Sequence, residues 1–253
     1  MGETHRPESE QPDRDLLERD RPAARSFAGL RPGFEAIDTW IFDLDNTLYP
    51  SSCDLFAEIE VRMGAFISQR LGLDREAAHA LRHSYYRTYG TTLSGLMAVH
   101  DIDPHHFLRF VHEVDLSVVP PNPALDRLLA RLPGRKIIFT NGSVAYAERV
   151  LDRVGIRPHF ELIFDIEAAR FVPKPAPETL DALLAQLVCD PARAAFFDDL
   201  PANLVPARER GIKTVLIKTH KSWAATAEVT VEAHHTTEDL TRFLAEQVLH
   251  PEP

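Results

Sequence analysis

Two carboxylates, Asp43 and Asp45, stand one residue apart in Asp43-Leu44-Asp45-Asn46-Thr47, just where the apolar run Trp40-Ile41-Phe42 gives out. Side chains alternate along a strand with period two, so both carboxylates would leave the C-terminal end of such a run on the same side. Like charges held that close are unfavourable unless something uses them. A divalent cation, a shared proton, or a division into nucleophile and general acid would each do so. Three more groups could join them: Thr140-Asn141-Gly142-Ser143 after Ile137-Ile138-Phe139, Lys174 in Phe171-Val172-Pro173-Lys174-Pro175, and Asp198-Asp199 after Phe196-Phe197.

The elements that must position these groups follow from hydrophobic periodicity. A first strand is predicted over 39–45. Leu55, Ile59, Met63, Phe66 and Ile67 then recur at helical spacing, and Gly72 with Asp74 marks a stop and a new start. A second helix is expected through Ala77, Leu81 and Tyr85 to Gly90, with shorter helices over 93–99 and 104–114. From Pro120 the rhythm changes to alternating helices and strands. Strands are predicted over 136–139, 162–164, 194–197 and 214–217, with helices over 144–154, 179–188, 201–210 and 239–248. Strands rich in Ile, Val and Phe alternating with helices imply a parallel sheet covered on both faces. The expected fold is therefore α/β: a Rossmann-like parallel sheet core (37–50 and 119–250) with an all-helical cap inserted after the first strand (51–118). In such sheets ligands sit beyond the carboxyl ends of the strands, where all four polar groups fall.

Residues 1–36 are rich in Arg, Asp, Glu and Pro, and read as a solvated, disordered N-terminal tail. The formal net charge of -10 over 253 residues argues against a nucleic-acid polymer or an anionic membrane as partner. Two cysteines, Cys53 and Cys189, imply no disulfide framework and a reducing compartment. With no apolar run near the ~18 residues of a membrane span and no signal-peptide core, the expected setting is cytoplasmic.

Taken together, the four groups resemble the motifs of the haloacid dehalogenase superfamily of aspartate-nucleophile phosphatases, in order, across nearly all of 39–218. Tyr49-Pro50, Tyr89-Gly90-Thr91-Thr92-Leu93, Phe139 to Ser143 and Phe197-Asp198-Asp199-Leu200-Pro201-Ala202-Asn203 are further similar to its pyrimidine 5'-nucleotidase-like branch. The resemblance implies a Mg2+-dependent phosphomonoester hydrolase acting on a small phosphorylated substrate, a nucleoside 5'-monophosphate with pyrimidines favoured. Asp43 would attack phosphorus and Asp45 would protonate the leaving oxygen, then take a proton from water. Asp43, the backbone carbonyl of Asp45 and Asp198 would hold the metal, with Asp199 behind them. Thr140 and the backbone around Asn141 would bind phosphoryl oxygens, and Lys174 would balance charge. Gly142 lets the backbone approach a phosphate, and Asn203 stands where many relatives carry a third acidic residue.

Other readings compete. The same motifs suit a phosphatase for a sugar phosphate or pyridoxal phosphate, because they read the phosphoryl group and the cap reads the rest. A catalytically silent ligand-binding protein on this fold is a reading of a different class. In the cap, Tyr86, Tyr89, Thr91 and Thr92 are candidate substrate contacts, although Tyr85 and Tyr89 are spaced i, i+4 as packing residues also are. His79 and His83 share that spacing but lack the Glu of a metalloprotease helix, and read as surface residues.

Overall fold

The computed structural model describes Phe27, residues 29–219 and residues 232–250. Strand β1 (Thr39–Phe42) is buried at every position, as an apolar run without polar alternation requires when both faces are covered. It lies between β2 (Arg135–Phe139) and β4 (Ala194–Asp198), with Ile41 opposite both Ile137 and Phe196. With β3 (Leu162–Phe164), β5 (Lys213–Ile217) and β6 (His235–Thr237), these strands form a parallel sheet in the order β3-β2-β1-β4-β5-β6. The pleat divides the core. Trp40, Phe42 and Phe197 point to one face, where Phe42 and Phe197 stack at 4.8 Å, and Ile41, Phe139 and Phe196 point to the other.

Four helices intervene between β1 and the next core helix: α1 (Leu55–Leu71), α2 (Arg75–Tyr89), α3 (Thr92–His100) and α4 (Pro104–Val111). Their starts are set locally. Asp74 accepts from the backbone of Ala77, Thr91 from Ser94 and Asp103 from His105. Gly95 lets α3 approach α2, because a Cβ there would overlap the Tyr85 ring. The core resumes with α5 (Pro123–Arg131), and α6 (Val144–Val154), α7 (Pro177–Leu187) and α8 (Pro201–Glu209) then link successive strands. No helix among the described residues is long and apolar enough to cross a membrane.

Four points of the expected fold need correction. The first strand stops at Phe42 rather than 45: Asp43 N–H donates to Phe197 O at 2.8 Å, and Asn46 turns the chain with φ 58°. The tail reading runs too far. Residues 1–26 lie outside the described residues, but Leu30 and Phe34 are 3% and 1% exposed and pack into the core, and Leu30 bridges to Leu249. Two apolar anchors in a charged stretch do not register in its average composition. Strand β6 went unread because a three-residue edge strand, His235-Thr236-Thr237, has no hydrophobic alternation. The last helix also ends differently, as a short α9 (Leu240–Phe243) continued by a π-helical turn over Leu244–Val248.

The β1–β2 register begins at Gly134, which takes φ +82° so that Arg135 N–H can donate to Asp38 O at 2.8 Å. A Cβ on Gly134 would collide with that carbonyl. Gly134→Ala should therefore lower unfolding free energy by about 1–3 kcal/mol, read from urea denaturation midpoints.

Candidate active site

The C-terminal ends of β1, β2 and β4 are neighbours, so the residues following them meet in one place. Lys174 arrives from the loop after β3 and is 4% exposed. Its Nζ donates to Asp43 Oδ1 at 2.7 Å, Asp198 Oδ2 at 2.8 Å and Phe139 O at 2.8 Å. Asn141 fixes that loop: its Oδ1 accepts from Lys174 N–H at 2.8 Å and its Nδ2 donates to Lys174 O at 3.3 Å. The Asn141 side-chain amide is thus committed to the loop, which leaves its backbone, the part expected at the phosphate, to meet a phosphoryl oxygen. Thr140 Oγ1 accepts from Gly142 N–H at 2.9 Å, which leaves the hydroxyl proton to donate.

Carboxylate oxygens of Asp43, Asp198 and Asp199 lie within 4.8 Å of one another. Asp198 is held from several sides, by Lys174, by Leu200 N–H at 2.8 Å and by Asn203 Nδ2 at 2.9 and 3.0 Å from its two oxygens. Asp199 Oδ2 is buried without a hydrogen-bond partner. An orphaned carboxylate oxygen beside two more carboxylates suits a hard divalent cation. Asp199, expected behind the ligands, lies in one group with Asp43 and Asp198. The Asp45 carboxylate lies outside this group, because its Oδ1 accepts from Tyr49 at 2.6 Å and from Tyr146 at 2.7 Å. Its backbone carbonyl is the atom left to serve a metal.

Burial dominates the electrostatics. It pushes the Asp43 carboxyl up to about 7, with Asp198 and Asp45 adding to the rise and Lys174 opposing it. Asp199 is held well above the usual carboxylate range by burial, then by Asp43 and Asp198. Asp45 is raised by burial against the two phenol hydrogen bonds, which favour its anion. For Lys174, burial works against the charge, but Asp198 and Asp43 outweigh it and hold the ammonium above its ordinary pKa. Burial, then the Asp45 charge, also holds Tyr49 and Tyr146 well above the ordinary phenol range.

A cavity of about 240 Å3 lies over these groups and reaches the cap. Among the cap candidates, Tyr86, Thr91 and Thr92 line it. Tyr89 does not: it packs edge-on against Tyr85 at 5.7 Å, and Tyr85 is buried with its hydroxyl 2.7 Å from His100. Thr91 also caps α3. Several lining or supporting residues escaped the sequence reading. Arg82 donates to Glu60 at 2.5 Å within the cavity wall; His83 beside them is exposed, as expected of a surface residue, and also borders the cavity. Tyr146 sits on the first turn of α6, and His112 stacks on it at 4.2 Å with planes 10° apart. No local motif announces these four; Arg82 lay between the two histidines that drew attention instead.

A model of haloacid dehalogenase-like hydrolases matches residues 37–211. The chain belongs to that family. It is 29% identical over 195 residues to Phosphate metabolism protein 8 of Saccharomyces cerevisiae, covering 70% of this chain and 60% of that protein's length. Among solved structures it is similar to CbbY of Rhodobacter sphaeroides in complex with xylulose-(1,5)-bisphosphate (TM-score 0.60, 18% identity, 82% of this chain and 96% of that one). It is also similar to a phosphatase of the family from Thermococcus onnurineus (TM-score 0.57, 16% identity, 82% and 96%). At such identities the structures establish a common fold.

His112 gives the site a pH signature. It is 9% exposed, and burial, with Arg149 contributing, pushes its pKa from 6.5 down to about 3. The unfolded chain takes up a proton below about pH 6.5 that the folded protein refuses until about 3. The unfolded state thus binds more protons in that window, and stability falls as pH is lowered through it, by at most about 1.4 kcal/mol per pH unit. His112→Asn should flatten this fall: between pH 6.5 and 4.5 its melting temperature should drop less than that of the wild type.

Proposed function

We propose that the protein is a Mg2+-dependent phosphomonoesterase that works through an aspartyl-phosphate on Asp43. The observation that carries this reading is one buried cluster. Asp43 is held by Lys174, Asp45 stands two residues on with one oxygen anchored, and the partnerless Asp199 oxygen completes a trio of carboxylates beneath a cavity. Asp43, Asp198, Asp199 and the Asp45 carbonyl would hold the cation, which when bound supplies charge stabilisation to the phosphoryl oxygens.

The chain's own residues supply the rest. The substrate's phosphoryl group would lie against Thr140 and the backbone at Asn141, with Lys174 offsetting negative charge. As an Asp43 oxygen forms its bond to phosphorus, the bond to the leaving oxygen breaks, and Asp45 gives that oxygen a proton. In the second step Asp45 takes a proton from water. The water oxygen bonds to phosphorus, the Asp43–phosphorus bond breaks, and inorganic phosphate leaves with both carboxyls restored. Asp43→Asn should lower turnover by about a thousandfold or more, and EDTA should abolish activity that added Mg2+ restores. Retained turnover by the Asn variant sinks the mechanism.

Within this class we take the substrate to be a nucleoside 5'-monophosphate, pyrimidines favoured. In support, the sequence resembles that branch, and the cavity wall sets Phe56 and Tyr86 beside the hydrogen-bonding pair Glu60 and Arg82, a mixture suited to a flat polar base. A second reading, another small phosphate ester, is favoured by the likeness to CbbY, solved with a sugar bisphosphate, and by the yeast relative named for phosphate metabolism. Comparing kcat/KM for UMP, CMP, purine monophosphates, sugar phosphates and pyridoxal phosphate separates the two. We expect a pyrimidine nucleotide at the top; if none ranks near it, the nucleotide assignment goes and the phosphatase assignment stays.

A further inference from the structure

Both phenols that touch Asp45 touch the same oxygen. Tyr49 and Tyr146 donate to Oδ1 at 2.6 and 2.7 Å, and no described residue donates to Oδ2, while Asp45 lines the cavity. Short bonds to a carboxyl oxygen are the strong kind, and turning over a carboxyl that carries its proton on Oδ2 would set that hydroxyl against both phenols and weaken the two bonds. The two phenols come from different places. Tyr49 lies in the crossover from β1 to the cap, and Tyr146 on α6 is covered by His112, which follows α4 of the cap. His112 is itself anchored to the core: its Nδ1 lies 3.1 Å from Ser143 Oγ, and its carbonyl accepts from Arg149 at 3.0 Å.

We propose that Tyr49 and Tyr146, the latter seated by His112, are positioning residues that reserve Asp45 Oδ2 as the atom that gives and takes the proton. The proposal rests on the phosphatase reading above. Without one phenol the carboxyl keeps a single tether and rotates, so the proton is less often aimed at the leaving oxygen. The cap thereby acts on the chemistry as well as on the substrate, because Tyr146 is packed against it through the His112 ring.

The test exploits leaving groups. An alcohol needs a proton as it departs, whereas p-nitrophenolate leaves as a stable anion, and kcat/KM covers only the steps through transfer to Asp43. The full-length Tyr49→Phe and Tyr146→Phe variants, assayed with Mg2+, should each lose at least about tenfold more kcat/KM on a nucleoside 5'-monophosphate than on p-nitrophenyl phosphate. His112→Ala should show the same selective loss, and His112→Phe, which keeps a stacked ring, should show much less of it. Equal losses on both esters in the tyrosine variants overturn the proposal while leaving the phosphatase reading in place. Equal losses in His112→Ala alone remove His112 from the device. Should another alkyl phosphate of the panel above prove the better substrate, it replaces the nucleotide in this comparison; a wild type that turns over no ester of the panel and no p-nitrophenyl phosphate fails the phosphatase reading, and the proposal falls with it.

Discussion

Lys174 carries an ammonium that is almost out of water, and all three of its protons are taken, by Asp43, Asp198 and the Phe139 carbonyl. Those acceptors sit at the ends of β1, β4 and β2, so one side chain from the loop after β3 ties the three central strands together at the site. Breaking a buried pair by removing one partner typically costs about 3–5 kcal/mol, because the survivor keeps an uncompensated charge. The neighbourhood is arranged to keep the ammonium there. Asn141 grips the Lys174 backbone at both its N–H and its carbonyl, and the Phe139 and Phe196 rings lie 5.1 and 5.6 Å from Nζ.

A single ammonium cannot balance the acids around it. Asp43, Asp45, Asp198 and Asp199 gather at the same strand ends, and the elevated pKa values of Asp43 and Asp199 express their burial first and the neighbouring like charges second. A bound cation would lower both, since it favours the ionised carboxylates that ligate it. The two acids of the first motif are separated by their surroundings rather than their chemistry: Asp43 faces Lys174, and Asp45 faces two phenols. Environments that differ in this way let neighbouring carboxyls take different roles.

Much of this was readable because its signals are local. Continuous apolar runs at 40–42, 137–139 and 196–197 announced strands covered on both faces, and each was followed by the polar residues that the structure brings together. Leu30, Phe34 and β6 were not readable, because isolated anchors and a three-residue edge strand have no period to detect. Tyr146, His112, Arg82 and Glu60 belong to the same class. Each lies on a helix or helix end whose pattern is complete without it, and its importance arises from a partner distant in the chain that packs against it.

By itself the sequence determined the order of elements through β5, the insertion of a helical block after the first strand, which acids and hydroxyl stand at strand ends, and which lysine stands in the loop after β3. These depend on alternation and periodicity within a few residues. Only the tertiary structure decided which atoms meet. It set Asp199 among the carboxylates, turned the Asn141 amide to the Lys174 loop, took Tyr89 out of the cavity and brought two phenols 97 residues apart onto one oxygen of Asp45. Such contacts depend on how helices and strands distant in the chain pack against one another, and no local pattern encodes the direction of a side chain across that gap.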